Sequence, residues 1–392
     1  TKENTNWAGN PYEAIIQTSD RKVTRVYLSD AQGNMTHEAE GNIVTVEMYV
    51  SPNDGSPFRY VLQTGFNKWC EPYNLSVELD VAGSPLYVAG SVDLTDDTTW
   101  TSEAAQAFEV TNTYTAKDGT VYQYGEYVPE KDDKQNALVV WLHGAGEGEN
   151  VNEIDGFHND VYIDLLGNEV TALVSDEFQK LFDGAYVLVP QSPTMWMDDG
   201  TGAYQSVGES FYGDSVFELS DSYVKANPDI DPERVIVGGC SNGGYMTMEL
   251  VLDHPGYFQK AYPICEAFED AAITDAQIKA LAESRTGVWF TYAANDPTVD
   301  PTATAADVHY TEWAKVEDLT GRFTDAAGNP YEYSGHWSWI YFDNNANTSC
   351  NVHGAENEWV WLSELPEMTG TQVLHIVGDD WGPSVDKTII TL

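Results

Sequence analysis

The chain has 392 residues, with 63 acidic side chains against 18 basic ones, and its formal net charge is −45. A surface this anionic repels phosphate backbones and acidic lipid headgroups, which argues against nucleic-acid and membrane-surface partners. Hydrophobic residues make up 42% and aromatics 12%, so material for packed cores is ample and global disorder is excluded.

No run approaches the roughly 18 consecutive apolar residues of a membrane span. The start, Thr1-Lys2-Glu3-Asn4, has no basic stretch leading into an apolar one. The expectation is a secreted, extracellular protein whose signal peptide, if it had one, has been removed. The acidity suits secretion or a salty environment and says nothing about chemistry. The four cysteines (Cys70, Cys240, Cys265 and Cys350) permit three full pairings, and none has zinc-finger spacing. No metal and no cofactor is expected.

Residues 1–115 read as all-β. Short β-rich runs, Lys22 to Leu28, Asn42 to Val50, Phe58 to Gln63, Leu75 to Asp80 and Leu86 to Val92, are separated by turn signals such as Pro52-Asn-Asp-Gly-Ser-Pro57. That spacing predicts an antiparallel sandwich of the immunoglobulin-like kind. Val44, Val46 and Met48 alternate with Thr45, Glu47 and Tyr49, the period of a half-buried strand.

From residue 116 the character changes. Ala137 to Leu142, Ala185 to Val189, Val235 to Val237 and Val288 to Tyr292 are apolar almost throughout. Strands apolar on both faces belong inside a parallel sheet covered on each side by helices. Helices are predicted between and after them, over 177–182, 215–227, 245–252, 275–284, 305–320 and 356–365. The expectation for 116–369 is an α/β domain with a mostly parallel sheet. Residues 370–392 alternate again, and the expectation is that they return to the N-terminal β domain and complete it.

The sharpest motif is Gly239-Cys240-Ser241-Asn242-Gly243, a G-x-S-x-G between an apolar strand and an amphipathic helix. This is the context of a nucleophile elbow. The turn strains the serine backbone and exposes its hydroxyl, and the residues two positions to either side must be small because the chain passes close to its neighbour there. The bland alternative is a Gly-rich turn that happens to contain serine. Cys240 is a poor nucleophile, because the elbow presents the next residue.

Upstream, strand 137–142 runs into His143-Gly144-Ala145-Gly146-Glu147-Gly148. A tetrahedral intermediate needs two aimed N–H donors, and the amides of Ala145 and Asn242 are assigned as that oxyanion hole. A phosphate loop is a poor reading of Gly144 to Glu149, which carries two carboxylates, Glu147 and Glu149, and no lysine.

A serine needs a base, and the base needs an orienter, in the chain order Ser, then Asp or Glu, then His. Asp296 stands just past the strand ending at Tyr292, with Asp300 as the alternative. His336, in Ser334-Gly-His-Trp, is favoured as the base, with His353 the rival. His309, in the predicted helix 305–320, reads as structural or surface, and His375, in the late strand region, is a poor candidate. Glu147, Gln191, Trp196 and Trp337 are expected to line the substrate site, although Trp is also simply a large core residue.

With these motifs in place, the chain resembles the α/β-hydrolase superfamily. More narrowly it is similar to serine esterases related to feruloyl and acetylxylan esterases, polyhydroxybutyrate depolymerase-like esterases and prolyl-oligopeptidase-like "predicted peptidases", some of which carry an immunoglobulin-like domain. The resemblance covers about residues 116–365 and rests on LHGAGE, VLVPQSP, GGCSNGGYM, YAANDPTV and GHWSWIY. It implies Ser241, Asp296 and His336 as triad and the amides of Ala145 and Asn242 as oxyanion donors. The ending WGPSVDKTIITL resembles the first strand of the family's β domain, which implies a permuted order.

The function this implies is carboxylic-ester hydrolysis through an acyl-enzyme, on aromatic or short acyl esters such as feruloyl or acetyl groups on plant polysaccharide. A serine peptidase is the first alternative, lowered because 115 residues are too few for a propeller. A non-catalytic binding module is the second.

Overall fold

The structure, a computed structural model, describes residues 2–6, 10–17, 20–51, 55–61, 64–69, 76–78, 91–93, 101–148, 160–203, 209–299, 309–352, 356–365, 371–379 and 382–391. Asp300, His353 and Cys70 lie outside the described residues.

The N-terminal region is built of antiparallel strand pairs. β1 (Lys2–Asn6) pairs with β2 (Asn10–Gln17), β3 (Val23–Leu28) with β4 (Val44–Met48), β5 (Phe58–Val61) with β6 (Phe66–Trp69), and β7 (Ser76–Glu78) with β8 (Ser91–Asp93). The last six fall within the β-rich runs of the sequence or start just after one, as β6 does.

The second region is one sheet of eight strands. In chain order they are β9 (Glu109–Thr115), β10 (Val121–Tyr127), β11 (Asn136–Leu142), β12 (Ala185–Gln191), β13 (Ile230–Cys240), β14 (Lys260–Ile264), β15 (Gly287–Ala293) and β16 (His309–Trp313). Their order across the sheet is β16-β15-β14-β13-β11-β12-β10-β9. All neighbours from β12 to β16 run parallel, while β10 is antiparallel to both β12 and β9. Residues 109–115, read from sequence as sandwich, are thus the edge of this sheet.

The seven residues of β11 are all buried. Val139 and Trp141 pack on one face with Val187, Ile236 and Tyr262, whereas Leu138, Val140 and Leu142 pack on the other with Leu188, Val235 and Val237. Two apolar faces require two helical layers. α1 (Val161–Gly167), α2 (Asp176–Phe182), α6 (Trp339–Asp343) and α7 (Glu358–Ser363) cover the first. α3 (Gly213–Ala226) and α4 (Asn242–Asp253) cover the second, with Leu281 of α5 (Asp275–Glu283) packed at its margin. A fully buried Leu or Val here contributes about 1.5–3 kcal/mol. Caps set the helix starts: Ser175 accepts the Phe178 N–H, Asn357 accepts the Val360 N–H, and Thr274 with Gln277 forms a capping box.

One expectation is corrected. Among the described residues the helix expected over 305–320 is absent: residues 309–313 form β16, and His309 sits on a strand. His-Tyr-Thr-Glu-Trp is aromatic and β-branched, and its rings pack flat, with Trp313 stacked 3.8 Å from Tyr341 and Tyr310 stacked on Tyr292. Strand β14 is not among the apolar runs of the sequence because Lys260 and Pro263 interrupt its pattern. Lys260 is nevertheless buried, its ammonium donating to the carbonyls of Trp361 and Glu364 near the end of α7.

The C-terminal segment forms a hairpin of β17 (Thr371–Asp379) and β18 (Gly382–Thr391). Among the described residues these strands pair only with each other, and no strand pairing joins them to the N-terminal β region.

Candidate active site

Ser241 stands between β13 and α4 with φ +54° and ψ −111°, a left-handed conformation that costs a non-glycine residue on the order of 1–3 kcal/mol. The surroundings hold it there. Its N–H donates to the Ile264 carbonyl (2.8 Å), and its own carbonyl accepts the Tyr245 N–H (2.9 Å). A Cβ on Gly239 would lie 2.1 Å from the Leu142 carbonyl oxygen, and one on Gly243 would lie 1.9 Å from it. Both flanking glycines are therefore obligatory, because the end of β13 and the first turn of α4 converge on one carbonyl of β11.

His336 Nε2 lies 2.8 Å from Ser241 Oγ, and His336 Nδ1 lies 2.8 Å from Asp296 Oδ2. The Asp296 side chain is fully buried and that of His336 is 14% exposed, so the carboxylate is shielded while the ring edge reaches solvent. Asp296 Oδ1 accepts the N–H groups of Thr298 (2.7 Å) and Val299 (3.2 Å), which fixes the carboxylate plane. Gly335 brings the histidine turn onto the aspartate turn: a Cβ there would lie 2.2 Å from Asn295 Oδ1. Trp339 meets the His336 ring edge to face at 6.3 Å. The three groups form a continuous relay that can withdraw a proton from a serine hydroxyl and return it to a leaving group.

Ala145 and Asn242 start the segments that leave the carboxyl ends of neighbouring strands β11 and β13. Asn242 is the first residue of α4, so its amide has no partner within the helix. Asn242 Oδ1 accepts the Trp196 N–H (2.6 Å). His143 props the turn before Ala145. Its Nε2 accepts the Ser192 N–H (2.9 Å), which leaves the proton on Nδ1 to be donated to the Gly144 carbonyl (2.6 Å). Burial pulls this imidazole down to about 4, so it stays neutral.

The four side chains expected to line the substrate site do other things. Glu147 is buried, accepts the Asn67 amide (2.8 Å), and is pushed up to about 7 by burial, against hydrogen bonds from Asn67 and Asn168. Gln191 is buried and donates to the carbonyls of Glu147 (2.8 Å) and Asp160 (3.3 Å). Trp196 is fully buried, stacked on Tyr122 and tilted against His143. Trp337 is 9% exposed and packs on Tyr333 and Trp339. All four are buried and packed on or hydrogen-bonded to neighbouring loops and side chains.

Beneath the elbow, Cys240 and Cys265 are buried free thiols, both pushed well up by burial. Several supporting residues gave no sequence signal. Asn67 comes from the other β region. Asn168, whose Oδ1 accepts the Gly144 N–H (3.1 Å), follows α1. Glu249, in α4, accepts the Ser210 N–H on both oxygens (2.9 and 3.0 Å). The one legible hint was Gly335, directly before the histidine.

Comparisons with known proteins agree with this architecture. The family described as esterase Ig-like N-terminal domain matches residues 6–123, and the prolyl oligopeptidase family matches residues 214–268, the stretch holding α3, the elbow and α4. No curated protein matches the sequence significantly. Among solved structures, a thermostable esterase is similar at 21% identity with a TM-score of 0.58, over 84% of this chain and 86% of that one. An acetyl xylan esterase from Aspergillus awamori aligns at 16% identity with a TM-score of 0.34, over 48% of this chain and 74% of that one. An acylaminoacyl peptidase from Pyrococcus horikoshii aligns at 12% identity with a TM-score of 0.35, over 54% of this chain and 37% of that one. The region matched by the esterase Ig-like family runs directly into the sheet that carries the serine elbow, and the chain has the α/β-hydrolase fold with an immunoglobulin-like domain at its N-terminal side.

Proposed function

We propose that the protein hydrolyses carboxylic esters through an acyl-enzyme, with neutral aromatic or short acyl esters, such as feruloyl or acetyl groups on plant polysaccharide, as substrates. The observation that carries the reading is the relay from Ser241 Oγ through His336 to Asp296, with two 2.8 Å links. Ser241 attacks the ester carbonyl while His336 Nε2 takes its proton. The amides of Ala145 and Asn242 receive the oxyanion. His336 then protonates the departing alcohol, and water repeats the sequence on the acyl-enzyme. The net charge of −45 favours neutral substrates over polyanions.

The match to the esterase Ig-like family supports esters over amides. The prolyl oligopeptidase match favours a second reading, hydrolysis of peptide bonds, with the same serine. Side-by-side assays on p-nitrophenyl acetate, methyl ferulate and a prolyl p-nitroanilide separate them. Ester turnover that drops by about 10³-fold or more in Ser241→Ala supports the first reading. Cleavage of the anilide with inert esters replaces it with the second.

A further inference from the structure

β16 begins with His309, and the loop after α6 brings Cys350 beside it. That loop is tied to the strand. Asn351 donates its N–H to the Tyr310 carbonyl (3.1 Å) and accepts the Tyr310 N–H on Oδ1 (2.7 Å), and Thr311 Oγ1 donates to the Ser349 carbonyl (2.9 Å). Glu356, one residue before the cap of α7, reaches the same point, with its Oε2 3.6 Å from Cys350 Sγ. One ligand atom from each of His309, Cys350 and Glu356 lies within 4.8 Å of the others.

The geometry points to a site for a divalent transition-metal ion of the zinc class, held by His309, Cys350 and Glu356. Zinc bonds of about 2.3 Å to sulfur and 2.0–2.2 Å to oxygen at a tetrahedral angle separate the two ligand atoms by roughly 3.5 Å. The observed separation of Cys350 Sγ and Glu356 Oε2 matches this edge. An imidazole, a thiolate and a carboxylate form a mixed N/S/O set suited to zinc, whereas calcium and magnesium prefer oxygen alone. Thiolate and carboxylate together cancel the ion's two positive charges. Without metal the thiol donates its proton to Glu356, so binding releases that proton to solvent and puts the ion in its place. Three protein ligands leave a fourth position for water.

The site is remote from the relay. His309 pairs with Trp289, towards the opposite end of β15 from the turn that carries Asp296. The ion would clip the edge strand to the segment joining α6 to α7, and α6 separates that segment from the His336 turn. The ligands stand 41 and 6 residues apart, so no local spacing announces them in the sequence.

The test uses the full chain after chelator treatment and dialysis, with Zn2+ titrated against a chromophoric chelator and Co2+ followed by its absorption. The expected result is one ion per chain and a thiolate-to-cobalt charge-transfer band. Cys350→Ser should abolish the band, and Cys350→Ser and Glu356→Gln should each weaken Zn2+ binding roughly tenfold or more. Circular dichroism confirms folding of each variant, and Glu356→Gln, at a partly exposed position, serves if Cys350→Ser fails that check. Binding below one ion per chain, a missing band, or Zn2+ affinity unchanged in a folded variant overturns the proposal, the last being carboxylate binding by an acidic surface. Because the readout is metal binding, it stands apart from the outcome of the ester assays.

Discussion

Asn67, on strand β6 of the N-terminal region, donates a 2.8 Å hydrogen bond to Glu147, a buried carboxyl in the turn that follows β11. The same turn carries Ala145. Beside this link a Cβ on Gly148 would lie 3.2 Å from the Phe66 ring, so the two regions meet at the loop assigned to the oxyanion. Asn67→Leu leaves a buried carboxyl oxygen without its donor. The expected loss of stability is about 1–3 kcal/mol, read by urea unfolding. If the turn shifts with it, kcat falls by roughly tenfold while KM changes little. A variant with unaltered kcat would show that Ala145 is held without the N-terminal region.

Asp296→Asn keeps the shape of the relay but offers an amide where His336 Nδ1–H needs an acceptor. The expected drop in kcat is on the order of 10³–10⁴-fold. Combined with His336→Ala it should cost little more than His336→Ala alone, since the groups act as a unit. Additive losses in the double variant would place Asp296 outside the relay.

Glycine positions should divide sharply. Gly243→Ala drives a methyl group into the Leu142 carbonyl, whereas a Cβ on Gly119 meets nothing within 4 Å. Gly119→Ala should cost about 1 kcal/mol for its positive φ alone. Gly243→Ala should lower the melting temperature well beyond that and abolish turnover, because the elbow must move. Equal effects at the two positions would contradict the packing described at the elbow.

Stability should fall as pH rises from acidic to neutral. Burial pushes Glu147 and Glu249 up to about 7 and Glu358 up to about 8. These folded values exceed the unfolded ones, so their contribution is complete below the ordinary carboxyl value and is lost as pH rises through 7 to 8. His143 is depressed to about 4, so its contribution is present above the ordinary imidazole value and is lost as pH falls through 4. The three raised carboxyls outweigh the one depressed imidazole, so melting temperatures should fall as pH rises from about 4.5 towards 8, the imidazole only softening the slope below 6.5. Glu358→Gln keeps an acceptor for Asn347 and should flatten the alkaline fall. A melting temperature that climbs steadily to pH 9 would show that these carboxyls are not buried as described.

The elements most readily read from sequence were those whose local pattern and tertiary role agree. β11, β12 and β15 are apolar on both faces because both faces are covered, and the elbow is legible because steric crowding forces its glycines. β14 is missing from the apolar runs because it carries Lys260, whose ammonium is satisfied by carbonyls near the end of α7, a contact roughly a hundred residues away in sequence. β16 was misread as helix because its five residues, mostly aromatic or β-branched, are too short a run to announce a strand until β15 pairs with them. The turns carrying Ser241, His336 and Asp296 each leave a strand or precede an aromatic run, which made them findable. Glu147, Gln191, Trp196 and Trp337 were given the wrong task because sequence shows nearness to a motif but not which way a side chain faces.

Asn242 has two attachments with different purposes. Its side chain is anchored by the Trp196 main chain, while its own amide opens α4 beside the serine. In the proposed reaction that amide meets the developing negative charge. The anchor makes it stiff before any ester arrives, so the dipole is already aimed and little solvent or backbone has to reorient as the barrier is crossed.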